Sequence, residues 1–376
     1  MVLNKKISVL QVLPDLNSGG VERGTLEVNK YLASKGHRSI VISNGGRMKN
    51  QIELDKGEHH KLPIGKKNIL IFFVIFKLIK FLRKNKIDIV HARSRLPAWV
   101  CFLALKLVKK NRRPIFITTV HGSYSVNFYS SIMTKGDKVI VVSKTIKKYV
   151  LKNYNVDERK LILNYRGVSK KDYFFGFKAT NKWIKNWYKE FPDTKNKLLL
   201  CLPARITRWK GQDRFLLLIK NIVDKNPKIY GLIIGDDKKK SKFCNEMKYR
   251  IKKFGLGKNV KIIGHRKDVR EIMSISKIVY SLSSPPEAFG RVTLESLSLG
   301  VPVIGYAHGG VKEQLNQLQP SGLVRVGDTD QVINLTTKLL KTPPKIKENN
   351  IFTLEKMLEN TLYVYKQCIL EKNSNL

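Results

Sequence analysis

Glu287 and Glu295 stand eight positions apart in SSPPEAFGRVTLESLSLGVPVIG (283–305), a stretch that reads strand, loop, helix, strand. Gly290 falls near the expected helix start, where unpaired backbone N–H groups and the positive end of the helix dipole suit a phosphate. A diphosphate there would meet the N–H groups of Phe289, Gly290 and Arg291. The two carboxylates could accept hydrogen bonds from sugar and ribose hydroxyls. Outside such a context two glutamates at this spacing carry no message. The bland reading is a surface helix with a solvated Glu295.

A second group of residues suits the same anion. PARITRWKGQD (203–213) follows an apolar run and places Arg205 and Lys210 in a strand-to-helix loop. A forked guanidinium and a compact ammonium converging on a diphosphate would bind it and stabilise negative charge on a leaving nucleotide. In a chain with 72 Lys and Arg, such a pair also arises by chance. NSGGVERG (17–24) sets Gly19 and Gly20 between a strand and a helix, permitting a tight turn and close backbone approach to a ligand. Arg93 and Arg95 in HARSRLPAW (91–99) either meet an acidic or phosphorylated acceptor or are solvated. No Asp-x-Asp pair stands in a comparable loop to suggest a metal, so no metal and no cofactor are expected.

These loops need elements to hold them. Apolar, β-rich runs recur at 7–13, 38–43, 87–92, 115–120, 138–143 and 160–165, with helix-length segments between. Continuous Val/Ile/Leu runs alternating with helices mark a buried parallel sheet built from βαβ units. The arrangement repeats at 197–203, 228–235, 259–264, 277–282, 301–305 and 321–326. The fold class is therefore α/β, with two Rossmann-like doubly wound domains whose strand ends would face a cleft. The expected organisation is a first doubly wound domain (1–170), a connecting segment with an aromatic-rich helix (171–196), a second doubly wound domain (197–350), and a C-terminal helix (351–376) packing back toward the first domain.

Composition narrows the class. The chain has 376 residues, 42% of them hydrophobic, enough for two cores. Cys101, Cys201, Cys244 and Cys368 form no C-x-x-C pair and read as buried thiols, which favours a reducing, cytoplasmic setting. The first residues lack the long apolar region of a signal peptide and read as a strand. A net charge of +43 fits a nucleic-acid binder, a membrane-surface protein or an enzyme with phosphorylated substrates. The lysines are spread along the chain without a recognisable nucleic-acid module, so no specific nucleic acid is expected. Residues 66–86 (KKNILIFFVIFKLIKFLRKNK) are too short an apolar run to span a bilayer. They suit a helix lying on an anionic membrane surface, or a core helix with solvated lysines.

The segment EAFGRVTLE, followed by SLGVPVIG and HGG (308–310), resembles the E-x7-E motif of retaining glycosyltransferases with the GT-B fold, particularly family 4. Arg205 and Lys210 resemble that family's R-x4-K pair, and Gly19 and Gly20 its glycine-rich first loop. The resemblance covers nearly the whole chain, most weakly 44–86 and 169–196. It implies a glycosyltransferase that takes a sugar from a nucleotide-sugar donor bound by the second domain (197–350) to an acceptor bound by the first (1–170), without a metal, and retains anomeric configuration by front-face substitution. It implies that His121, in TTVHGSY, lies near the reacting sugar, and that the loop GHRKDV, with His265 and Arg266, holds the nucleotide base. The family's habits and the 66–86 segment point to a glycan or lipid-linked acceptor, as in lipopolysaccharide synthesis, on the inner face of the membrane. Two departures stand out: YRGV (165–168) lacks an acidic or asparagine residue before its glycine, and Arg291 replaces an apolar residue. The rival readings are a nucleotide-sugar epimerase of the same fold and a basic nucleic-acid-binding protein.

Overall fold

A computed structural model of the chain describes residues 5–17, 19–65, 71–235 and 242–374. It divides into two compact units, Met1–Tyr165 with Glu355–Leu376, and Arg166–Leu354. Each unit is built on one parallel sheet. The first contains β1 (Ser8–Val12), β2 (Arg38–Ser43), β3 (Glu58–Lys61), β4 (Ile89–Ala92), β5 (Ile115–Val120), β6 (Lys138–Val141) and β7 (Leu161–Leu163), in the order β3-β2-β1-β4-β5-β6-β7. The second contains β8 (Leu198–Pro203), β9 (Ile229–Ile234), β10 (Val260–Ile262), β11 (Ile278–Ser281), β12 (Val303–Tyr306) and β13 (Leu323–Val324), in the order β10-β9-β8-β11-β12-β13.

The central strands are buried on both faces, which is why their sequences are continuous apolar runs rather than alternating ones. In each sheet the chain winds outward first to one side and then to the other. The strand order reverses between β1 and β4 in the first sheet and between β8 and β11 in the second. Crevices at the carboxyl ends of strands flanking such a reversal are where doubly wound sheets bind ligands. The loops carrying Gly19, Arg93, Arg205 and Glu287 follow β1, β4, β8 and β11, respectively.

Three features sharpen the pattern read in the sequence. β3 is a polar edge strand, EHHK, held to β2 by a two-bond contact of Arg38 with Glu58 (2.7 and 2.9 Å). The 171–196 segment is grouped with the second unit. Its helix, Asn181–Glu190, stacks Trp183 on Trp187 and donates from Trp183 Nε1 to Asp268 (2.9 Å). The C-terminal helix, Leu354–Ser374, is grouped almost entirely with the first unit, where Asn164 Nδ2 donates to the Met357 carbonyl and to Thr361.

The helix Ile71–Lys84 is two-faced. Val74, Ile75, Leu78, Ile79 and Leu82 are buried, while Phe72, Phe73 and Phe76 are 65%, 56% and 62% exposed. The first five positions of the 66–86 segment lie outside the described residues. Among the described residues no helix is long and apolar enough to cross a membrane. All four cysteines are buried free thiols, and burial pushes Cys368 up to about 12, a poor nucleophile at neutral pH.

Candidate active site

The second unit concentrates the expected chemistry in two neighbouring loops. The loop after β8 runs to Gly211 and the helix Gln212–Val223. It is shaped by its own backbone: Gln212 Nε2 donates to the Arg205 carbonyl (2.9 Å), and the Lys210 amide to the Thr207 carbonyl (3.0 Å). The Ser284 amide donates to the Trp209 carbonyl (2.9 Å), tying this loop to the one after β11. That tie brings Lys210 and Glu287 together, with Lys210 Nζ 2.5 Å from Glu287 Oε1. Ser283 Oγ donates to the same oxygen (2.6 Å). Glu287 Oε2 takes no hydrogen bond from the described residues.

Trp209, which motif reading passed over, stands between the two cations. Its ring centroid is 4.5 Å from Lys210 Nζ and 5.7 Å from Arg205 Cζ, both within cation–π range. An exposed tryptophan in a loop between Arg and Lys was the available signal. His308 was likewise missed as a support. Its Nε2 lies 2.9 Å from the Ser283 carbonyl, and its neighbours Gly309 and Gly310 press on the 287–289 loop. The Gly310 amide donates to the Glu287 carbonyl (2.8 Å), and a Cβ at Gly310 would fall 2.3 Å from the Phe289 carbonyl oxygen. Only a glycine fits there.

Gly290 caps the helix Arg291–Leu299 in a left-handed conformation (φ 85°) and offers no side chain to its first amides. Nearby, the Thr293 hydroxyl is buried without a hydrogen-bond partner among the described residues. Glu295 is 8% exposed and accepts from Arg291 Nε (3.1 Å) one turn earlier. The two glutamates thus have different neighbours, Lys210 for one and Arg291 for the other. Phe289 is buried beside Phe352, so its backbone rather than its ring is offered at the helix start.

His265 is exposed, but Arg266 is occupied. Its guanidinium donates to both oxygens of Asp268 (2.9 and 2.8 Å) and to Glu190 (2.5 Å), over the rings of Trp187 and Phe191. Its side chain therefore pins the Asn181–Glu190 helix to this loop, which leaves the exposed His265 and the loop's backbone as the groups a ligand could meet.

In the first unit, Gly19 (φ 143°) precedes the helix Gly20–Ser34, and a Cβ at Gly20 would meet nothing within 4 Å. His121 directly follows β5, its amide donating to the Tyr124 hydroxyl (3.2 Å). Arg95 is partly exposed, donating to Ser130 Oγ (3.1 Å) beside the rings of Tyr124 and Tyr129. Arg93 is 2% exposed, so its side chain is not at the surface of the unit where an acceptor contact was expected. Its Nε donates to Gln11 Oε1 (2.9 Å), and Tyr365 bonds both Arg93 and, at 2.6 Å, His91 Nδ1. Burial pushes the Arg93 guanidinium below its ordinary value, opposed by Tyr365 and Glu27.

Comparison with known proteins bears on the family and the fold. Residues 18–171 match the family described as Glycosyltransferase Family 4, and residues 184–353 match Glycosyl transferases group 1. The crystal structure of a glycosyltransferase from Rickettsia africae ESF-5 superposes with a TM-score of 0.86 at 31% identity, covering 97% of this chain and 99% of that one. N-acetyl-alpha-D-glucosaminyl L-malate synthase of Bacillus anthracis is 24% identical over 87% of this chain and 86% of its own length. The UDP-Gal:alpha-D-GlcNAc-diphosphoundecaprenol alpha-1,3-galactosyltransferase of Escherichia coli is 24% identical over 98% of each chain. With two Rossmann-like sheets, the loops they position and these matches together, the chain is a glycosyltransferase of family 4 with the GT-B fold.

Proposed function

We propose that the enzyme transfers a sugar from a nucleotide-diphosphate donor to a glycan or lipid-linked acceptor in cell-envelope polysaccharide synthesis, with retention of configuration and without a metal ion. The observation that carries this reading is the contact of Lys210 with Glu287 beside the uncapped helix start at Gly290. The donor diphosphate would lie on the amides of Phe289, Gly290 and Arg291, with Lys210 and Arg205 on its oxygens. The Glu287 carboxylate holds Lys210 in place and offers Oε2 to a sugar hydroxyl, while Glu295 accepts from the ribose. The acceptor oxygen bonds the anomeric carbon as the nucleotide departs from the same face, and the two cations stabilise the charge it carries away.

The remaining assignments in this proposal are Gly19 and Gly20 as a close backbone approach to the donor, His121 as a hydrogen-bond partner of a sugar hydroxyl, and the 264–269 loop as the base contact. The galactosyltransferase relative is named for a UDP-sugar donor and a diphosphoundecaprenol acceptor, which favours a uridine nucleotide and a lipid-linked acceptor here. The exposed face of Ile71–Lys84 supports work at the cytoplasmic membrane surface, with Phe72, Phe73 and Phe76 entering the headgroup boundary and Lys77, Lys80, Arg83 and Lys84 meeting anionic lipid.

The test is to incubate the protein with UDP-, GDP- and ADP-sugars, with and without EDTA, and to read slow donor hydrolysis and the configuration of the released sugar or product by proton NMR. One nucleotide class turned over with retention, unaffected by EDTA, is the expected result. Inversion, or loss of turnover on chelation, would overturn the corresponding part of the proposal.

A further inference from the structure

A cavity of about 930 Å³ opens in the first unit at the amino ends of β4 and β5, the opposite end of these strands from the loops carrying Arg93 and His121. Its wall is strongly basic. Arg83 and Lys86 come from the end of the helix Ile71–Lys84 and the turn into β4, and Lys109 and Arg112 from the loop ahead of β5. Arg113 and Lys372 complete it, and Asp88 is the one carboxylate among the lining residues.

Cations at such a place have an ordinary explanation, because the helices Ile71–Lys84 and Arg95–Lys106 end here and the negative ends of helices attract them. Two of the six are occupied by backbone carbonyls, one of them at the end of the second helix. Arg113 donates to the carbonyls of Lys106 and Val108, and Lys372 to that of Arg113. Asp88 is also occupied, accepting from the Ser8 amide (2.7 Å). The side chains of Arg83, Lys86, Lys109 and Arg112 make no hydrogen bond or ion pair with any described residue. Four like charges facing one cavity repel each other and are stabilised by a shared counter-anion. Two of the four are guanidiniums, whose fork matches phosphate oxygens two at a time. The apolar floor of Ile87, Val108 and Ile369 sharpens the contrast by lowering the local dielectric.

We infer that this cavity is a second anion site, binding a phosphate-bearing group, either a soluble phosphate or the headgroup of an anionic lipid. It shares no residue with the proposed donor site and does not depend on the assignment of that site.

The test uses the full chain and inorganic pyrophosphate as probe, by calorimetric titration at constant ionic strength. Three double variants separate the possibilities: Lys86→Ala with Arg112→Ala in the cavity, Arg205→Ala with Lys210→Ala at the donor loop, and Lys252→Ala with Lys253→Ala, exposed lysines of the second unit. Binding should persist in the donor-loop variant and in the control, and weaken by about tenfold or more at the cavity site in the first. Hydrogen exchange on the same samples reads the location directly, slowing at residues 109–113 being expected. Equal loss in the cavity variant and the control would reduce the effect to net charge and overturn the inference. Loss in the donor-loop variant alone, with slowing confined to 204–211, would overturn it while leaving the proposed function intact. Flotation with phosphatidylcholine vesicles containing phosphatidic acid identifies the source. Lower recovery of the cavity variant than of the control marks a headgroup site, and equal recovery with a pyrophosphate defect marks a soluble phosphate; both support the inference.

Discussion

Lys210 and Glu287, 77 positions apart in the chain, meet at 2.5 Å because the loops after β8 and β11 are tied by the Ser284 amide and the Trp209 carbonyl. The contact is partly shielded, with side-chain exposures of 15% and 20%. It therefore orders a cation that would otherwise sample many rotamers, and in the proposed donor site it would hold the lysine ready for a diphosphate. Lys210→Ala is expected to lower kcat/KM by about a hundredfold or more, the scale seen when one charge-stabilising donor is removed. Glu287→Gln should weaken donor binding. The measurement is steady-state turnover of the active nucleotide sugar alongside circular dichroism; unchanged turnover in the alanine variant excludes the proposed role.

Gly290 has a left-handed backbone, and a Cβ there would approach Val311 Cγ2 to 2.9 Å. Gly290→Ala should cost about 1–2 kcal/mol from conformation alone, before the contact with Val311 is counted. Urea denaturation reads the loss. Donor affinity should fall as well, because the amides at the helix start would shift.

In the first unit, Tyr365→Phe removes one hydroxyl from a buried network that includes His91 and Arg93. The expected cost is about 1–3 kcal/mol, since buried polar groups lose a partner without gaining water. Nucleotide affinity should not change, because Tyr365 is no part of the proposed donor site.

Acid should loosen the second unit through Asp268. Burial raises its carboxyl, but hydrogen bonds from Arg266 and Trp183 outweigh this, so its folded value lies below the ordinary one. A depressed carboxyl contributes stability that is complete above the unfolded value of about 4 and is lost as pH falls through the lower folded value. Melting curves between pH 6 and about pH 3 should show this loss in the native protein and a smaller one in Asp268→Asn.

Phe72, Phe73 and Phe76 are exposed, so replacing all three with serine should leave folding nearly unchanged. Recovery with anionic vesicles should drop by about tenfold or more, given the apolar area withdrawn from the interface. Equal recovery of native and triple-variant protein would exclude this face as the anchor.

Sequence reading and structure agree where local chemistry decides. Continuous apolar runs became the buried central strands, and the helix start at Gly290 follows from a glycine set between a strand and an apolar segment. β3 was illegible because an edge strand needs no apolar run: EHHK is held by its ladder to β2 and by Arg38. Arg93 looked like an acceptor contact because a strand-end arginine is ordinarily solvated. Its burial depends on Gln11, Tyr365 and Glu27, which come from distant parts of the chain. Arg266 looked available for a base until the Asn181–Glu190 helix brought Glu190 to it.

The amino-acid sequence by itself determined the two parallel-sheet units and the short segments rich in binding groups, because period, turn residues and helix starts are properties of neighbouring residues. Only the tertiary structure decided that Lys210 pairs with Glu287 while Arg291 lies against Glu295, that Arg93 is sequestered, and that four cations from two segments face one cavity at the amino ends of β4 and β5. Those outcomes depend on which strands are adjacent and how closely their loops approach, and side-chain pairing across tens of residues has no local signature.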